Sequence, residues 1–136
     1  MSITSGVNHI GLAVSDLKAT TEFFVSQLGW TESGFDPSYP RTAVTDGTIK
    51  ITLWQVDRAN PINKFDRRQN VGLHHLALHI ETEKDLYALA EKLAAVDNVT
   101  IEFMPELMGN GPRKHFICYE PSGIRIEFTW MGKPSQ

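Results

Sequence analysis

The sequence predicts an α+β fold: paired βαβββ modules whose mixed sheets curve into one open cup, with helices outside. Three observations predict it. The stretch Val7-Asn8-His9-Ile10-Gly11-Leu12-Ala13-Val14 is echoed by Leu73-His74-His75-Leu76-Ala77-Leu78-His79-Ile80, and each is followed by a polar cap and a helix-like segment. A second pair, Ile49-Lys50-Ile51-Thr52-Leu53 and Ile124-Arg125-Ile126-Glu127-Phe128, closes the two halves in the same way. The length of 136 residues suits one domain built from two small repeats around shared interior surface.

Each element follows from local pattern. Val7 to Val14 alternates Ile10, Leu12 and Val14 on one face with His9, Gly11 and Ala13 on the other, a period-two strand. Ser15 or Asp16 then caps a helix carrying Leu17, Phe23, Phe24 and Leu28, which Gly29 stops. Trp30 to Phe35, Arg41 to Thr45 and Thr48 to Val56 read as strands, with Asp36-Pro37 and Asp46-Gly47 at the turns. The first module spans about residues 5–57, and the polar stretch 58–70 is a linker whose Lys64, Arg67 and Arg68 read as a solvated loop.

The second module spans about residues 71–131. Thr82-Glu83-Lys84-Asp85 has the form of a capping box and opens a helix with Leu86, Leu89, Ala90, Leu93 and Val96 on one side. Val99 to Met104, His115 to Glu120 and Gly123 to Met131 are the matching strands. This half carries about nine extra residues, assigned to a Gly/Pro-rich loop from Pro105 to Arg113 that is placed to shape a substrate pocket.

Composition narrows the function. A net charge of −3 disfavours nucleic acid as a partner. One cysteine, Cys118, excludes an internal disulfide, suits a reducing compartment and reads as a small buried filler. With no secretory pattern and no bilayer-length apolar run, the cytoplasm is the expected location and no membrane partner is expected. A homodimer is expected, because an isolated cup of this size leaves sheet edges and apolar rim exposed.

Strand alternation selects the candidate site. With Ile10, Leu12, Leu76, Leu78, Ile51, Leu53, Ile126 and Phe128 under the helices, the inward set holds His9, His75, His79, Lys50, Thr52, Trp54, Arg125, Glu127 and Thr129, and His74 faces away. His9, His75 and Glu127 are therefore the candidate metal ligands, since two imidazoles and a carboxylate can hold Fe²⁺, Mn²⁺, Ni²⁺ or Zn²⁺ and leave positions open. Thr52 takes the fourth related place, where a neutral hydroxyl is a poor ligand. Lys50 and Arg125 are candidates for an anionic substrate group, with plain ion pairing the alternative. Trp54 is a pocket wall or a subunit contact. His79 and His115 are candidate general bases or supports for the ligands.

These features resemble the vicinal oxygen chelate superfamily, which includes glyoxalase I, methylmalonyl-CoA epimerase, fosfomycin-resistance proteins, extradiol dioxygenases and bleomycin-resistance proteins. The resemblance covers roughly residues 5–131 and rests on the Asn8-His9-Ile10-Gly11-Leu12-Ala13-Val14 opening, the His75 strand and the closing Glu120-Pro121-Ser122-Gly123-Ile124-Arg125-Ile126-Glu127-Phe128. It implies ligands on the first, fourth, fifth and eighth strands, which correspond to His9, Thr52, His75 and Glu127. Glyoxalase I normally has a carboxylate where this chain has Thr52. Fosfomycin-resistance proteins typically have threonine where Gly11 stands. The tyrosine spacing of extradiol dioxygenases is not met, because Tyr119 directly precedes Glu120. The implied function is a metal-dependent, glyoxalase-like lyase or isomerase acting on a small oxygen-rich substrate. The alternatives are Fe(II) ring cleavage, thiol addition to an epoxide antibiotic, or non-catalytic sequestration of a hydrophobic small molecule as in bleomycin resistance.

Overall fold

The structure, a computed structural model, describes residues 1–133. The chain divides into two compact units, Met1–Asn63 and Lys64–Gln136. Each contains one helix and one unclosed, mixed four-stranded sheet, the α+β plan expected of paired βαβββ modules.

The first unit runs β1 (Ile10–Val14), α1 (Leu17–Glu22), β2 (Thr31–Asp36), β3 (Arg41–Thr45) and β4 (Lys50–Gln55). Its strand order is β1-β4-β3-β2, with β1 and β4 parallel and the other pairs antiparallel. On β1 alternation decides the packing, Leu12 and Val14 being buried and Gly11 and Ala13 exposed, whereas on β3 and β4 successive residues from Thr42 to Val44 and from Ile51 to Leu53 are buried on both faces. Asp16 is the N-cap of α1, its carboxylate accepting the Ala19 amide at 3.0 Å. The helix widens into a π-turn over Phe23–Gln27, which buries Phe23 and Phe24 side by side. Gly29, with φ +76°, then turns the chain sharply into β2.

The second unit runs β5 (Leu76–His79), α2 (Glu83–Ala94), β6 (Thr100–Leu107), β7 (Lys114–Tyr119) and β8 (Arg125–Trp130). The order β5-β8-β7-β6, with a parallel β5–β8 pair, repeats the first sheet. Thr82 caps α2 through the Asp85 amide at 3.0 Å, and Leu86, Ala90 and Leu93 are its buried residues. They close over a sheet whose Phe116, Ile126 and Phe128 are buried. Lys114 ties β7 to α2 through Glu83 at 2.7 Å, with its ammonium over the Tyr87 ring.

Three local expectations change. Regular β5 pairing begins only at Leu76, so His74 and His75 precede the strand rather than belong to it. The extra residues do not all form a loop, because Pro105 to Leu107 extend β6 and only Met108 to Arg113 connect it to β7. Arg67 is not a free solvated cation: its guanidinium lies 3.1 Å from the Tyr119 hydroxyl and 3.7 Å from Glu102. No helix among the described residues is long and apolar enough to cross a membrane.

Candidate active site

Glu127 is the centre of the second unit's polar face. The antiparallel register Ile117↔Glu127 puts His115, two residues along β7, on the same face, and His75 reaches the carboxylate from just ahead of β5. His75 Nε2 lies 3.8 Å from Glu127 Oε1, and His115 Nδ1 lies 2.6 Å from Oε2. The Glu127 side chain is 12% exposed, so His115 supplies a hydrogen bond that a largely buried acceptor needs. The Phe103 ring packs on His115 at 4.9 Å and fixes its plane.

A second polar cluster adjoins the first. Arg125 donates two hydrogen bonds to Glu102, Nε to Oε1 at 3.0 Å and Nη2 to Oε2 at 2.7 Å, a bidentate pair. Tyr119 donates its hydroxyl proton to Glu102 Oε1. The Arg125 bonds hold the Glu102 carboxyl down to about 2, and the same bonds push the Arg125 guanidinium up. Arg125 Nη1 also lies 3.4 Å from His74 Nδ1, which is 2.8 Å from His75 Nδ1. Burial first, then the Arg125 charge, holds the His74 imidazole below its ordinary value.

The remaining candidates are arranged less tightly. His79 is exposed at the end of β5, opposite Thr129. Thr129 Oγ1 is buried with no hydrogen-bond partner among the described residues. Thr129→Val is accordingly expected to stabilise the protein by about 1 kcal/mol, because it removes an unsatisfied buried hydroxyl; urea unfolding of the two proteins measures the difference, and a loss of stability would show that the hydroxyl is bonded.

In the first unit, His9 stands just before β1, exposed, with Nδ1 2.7 Å from Asn8 Oδ1. Lys50 is exposed. Thr52 accepts the Trp54 indole N–H at 2.9 Å and directs its own hydroxyl at Ile10 O at 3.4 Å, so its oxygen is already engaged. Trp54 is half-buried, packed edge-on against Tyr39 at 4.7 Å, with the Arg41 guanidinium over its ring. A Cβ at Gly11 would lie 3.2 Å from Thr52 Oγ1 and 3.5 Å from Trp54 Nε1. A separate open groove of about 1410 Å³ lies among α1, β2 and the end of β4, lined by Leu17, Glu22, Glu32 and Arg58 among others, and no candidate residue lines it.

The structure thus brings together His75, His115 and Glu127, joined through His74 to Arg125 and Glu102. Among the described residues no three His, Cys, Asp or Glu side chains are grouped to hold a metal ion. The donor chemistry nevertheless suits one. Neighbouring ligands bound to one ion at about 2.1 Å stand roughly 3–3.5 Å apart, and the 3.8 Å between His75 Nε2 and Glu127 Oε1 is close to that and too long for a hydrogen bond. Sequence reasoning missed Glu102, Tyr119, Arg67 and His74. The first sits where the β6–β7 register shifts between Ile101 and Phe103, and strand pattern does not announce such a bulge.

Comparison with known proteins accords with this plan. A protein from Bacillus subtilis (strain 168), described as the uncharacterized protein YqjT, is 29% identical over 131 residues, covering 90% of this chain and 97% of its own. A solved glyoxylase/bleomycin resistance protein/dioxygenase domain from Frankia sp. EAN1pec superposes with a TM-score of 0.79 at 24% identity, covering 96% of this chain and 99% of that one. A lactoylglutathione lyase from Agrobacterium tumefaciens does so with a TM-score of 0.70 at 18% identity, covering 95% and 96%. The family model for the glyoxalase/bleomycin resistance protein/dioxygenase superfamily matches residues 6–128, and the chain belongs to that superfamily.

Proposed function

We propose that the protein is a metal-dependent, glyoxalase-like lyase or isomerase that acts on a small oxygen-rich substrate. The observation that carries this reading is the pair of donors His75 Nε2 and Glu127 Oε1, 3.8 Å apart, with His115 on the second carboxylate oxygen. Members of the superfamily typically bind divalent metals, and the proposed ligands are His75, Glu127 and, on the superfamily's pattern, His9. The ion is Fe²⁺, Mn²⁺, Ni²⁺ or Zn²⁺.

A divalent ion there supplies Lewis acidity toward a substrate oxygen. The chain supplies the rest. His115 orients Glu127 by holding Oε2, which leaves Oε1 to the ligand side. His79 or His115 would receive the proton from the carbon next to the substrate carbonyl. Arg125, held in place by Glu102, offers a fixed cation to an anionic substrate group, and Lys50 a mobile one. Thr52, a neutral hydroxyl already bonded to Trp54, is a poor ligand. Action as a cytoplasmic homodimer belongs to the same proposal.

Among the alternatives, ring-cleaving oxygenation at Fe(II) uses the same two-histidine, one-carboxylate set. Thiol addition to an epoxide is less well matched, because Thr52 and Trp54 occupy the space beside Gly11 where fosfomycin-resistance proteins typically carry threonine.

Calorimetric titration of chelator-stripped protein with Mn²⁺, Fe²⁺, Ni²⁺ and Zn²⁺, run beside His75→Ala, tests the reading. Micromolar or tighter binding near one ion per chain, lost in the variant, is the expected result. No binding by the unmodified protein would overturn the catalytic reading and favour a small-molecule binder.

A further inference from the structure

We infer that His74 is a positioning residue: its Nδ1 accepts the His75 Nδ1 proton and so holds His75 in the tautomer whose Nε2 lone pair faces Glu127. The use of that lone pair rests on the metal reading above, whereas the tautomer itself does not.

The argument is one of donors and acceptors. The Nδ1 atoms of His74 and His75 are 2.8 Å apart, so one of them carries the shared proton. A guanidinium has five N–H donors and no acceptor. Arg125 Nη1 stands 3.4 Å from the same His74 Nδ1, so that nitrogen presents its lone pair. The shared proton therefore sits on His75 Nδ1. A neutral imidazole carries one N–H, which leaves His75 Nε2 unprotonated. Nothing on the opposite side pulls the proton over, since Glu127 Oε1 at 3.8 Å is beyond hydrogen-bond reach of Nε2.

The arrangement is fixed from behind. Two hydrogen bonds from Arg125 to Glu102 set the guanidinium, which sets the direction of the His74 lone pair. The rings of His74 and His75 meet edge-on, with centroids 5.1 Å apart and planes at 75°. Two residues adjacent in sequence can meet this way because regular strand begins only at Leu76, and ahead of it neighbouring side chains are not forced onto opposite faces. Histidine ligands ordinarily give their second N–H to a carboxylate or a backbone carbonyl, and loss of that partner weakens metal binding by roughly 10–100-fold. Here an imidazole takes that part.

Two-bond nitrogen–proton correlation spectra of the imidazoles in metal-free protein read the tautomer directly. We expect His75 to carry its proton on Nδ1, to shift toward the Nε2-protonated form in His74→Phe, and to recover in His74→Gln, whose side-chain carbonyl can accept. Mn²⁺ affinity is expected to fall about 10–100-fold in His74→Phe and to recover in step. A proton on Nε2 in the unmodified protein, or an unchanged His75 in both variants, would overturn the inference. The expected tautomer changes with no Mn²⁺ binding by the unmodified protein would uphold the hold on His75 and overturn the metal reading alone.

Discussion

Phe128→Ala is expected to cost about 3–5 kcal/mol of stability, the range for emptying a buried aromatic site that cannot collapse. Phe128 is 1% exposed on β8, and its ring stacks on that of Phe116, its register partner on β7, with centroids 4.9 Å apart. Both rings lie in a unit whose Leu86 and Leu93 are fully buried on α2. The backbone beside it is pinned on both sides by ladder pairing, so relaxation into the void is limited. Phe128→Leu keeps most of the volume and is expected to cost less than about 1.5 kcal/mol. Guanidinium unfolding of the three proteins checks the order; a loss below about 1 kcal/mol for the alanine variant would mean that this ring is not central to the core.

Glu102→Gln is expected to lower stability at neutral pH by about 1–2 kcal/mol and to flatten the acid limb of the stability profile. In the folded chain the Arg125 hydrogen bonds, then the Tyr119 hydroxyl, outweigh burial and hold the carboxyl down to about 2, against an ordinary value of 4.5. A carboxyl held low in the folded state stabilises it fully above the unfolded value, and the gain is lost as pH falls from about 4.5 through about 2. At 1.36 kcal/mol per pH unit the shift alone would exceed the expected effect. With 25% of the Glu102 side chain exposed, solvent screening reduces it to about 1–2 kcal/mol. Urea midpoints from pH 7 down to pH 2 for both proteins give the comparison, and parallel acid limbs would remove Glu102 from the account.

Much of this architecture was legible in the sequence, because the two halves repeat a periodic signal. The apolar residues Ile51 and Leu53, and Ile126 and Phe128, marked β4 and β8, and all four are buried. Ser15 or Asp16, and Thr82, marked the helix starts, and of the first pair it is Asp16 that caps. Strand alternation does not reach His74, because the rule applies inside a pleated strand and β5 starts two residues later. Glu102 was hidden for a related reason: a register shift between Ile101 and Phe103 re-aims its side chain, and a bulge leaves little trace in composition. Arg125 was placed on the polar face, but its partner lies 23 residues earlier, a tertiary pairing that strand pattern alone does not encode. The His115 contact with Glu127 depends on β7 pairing two residues out of step with the carboxylate, so only the register reveals it.

Cys118 turns one unit of this protein into a chemical clock. Its thiol has no exposed surface, lies between β6 and β8 through pairs with Ile101 and Ile126, and is pushed up to about 12 by burial and then by the Glu120 charge. At neutral pH an alkylating reagent therefore meets a reactive thiolate only when that sheet opens, since the closed form offers neither access nor ionisation. With one cysteine in the whole chain, the rate of labelling reports openings of the sheet that holds it. Any molecule that seats against Glu127, on the strand paired with Cys118, should slow that clock in proportion to its affinity for the closed sheet.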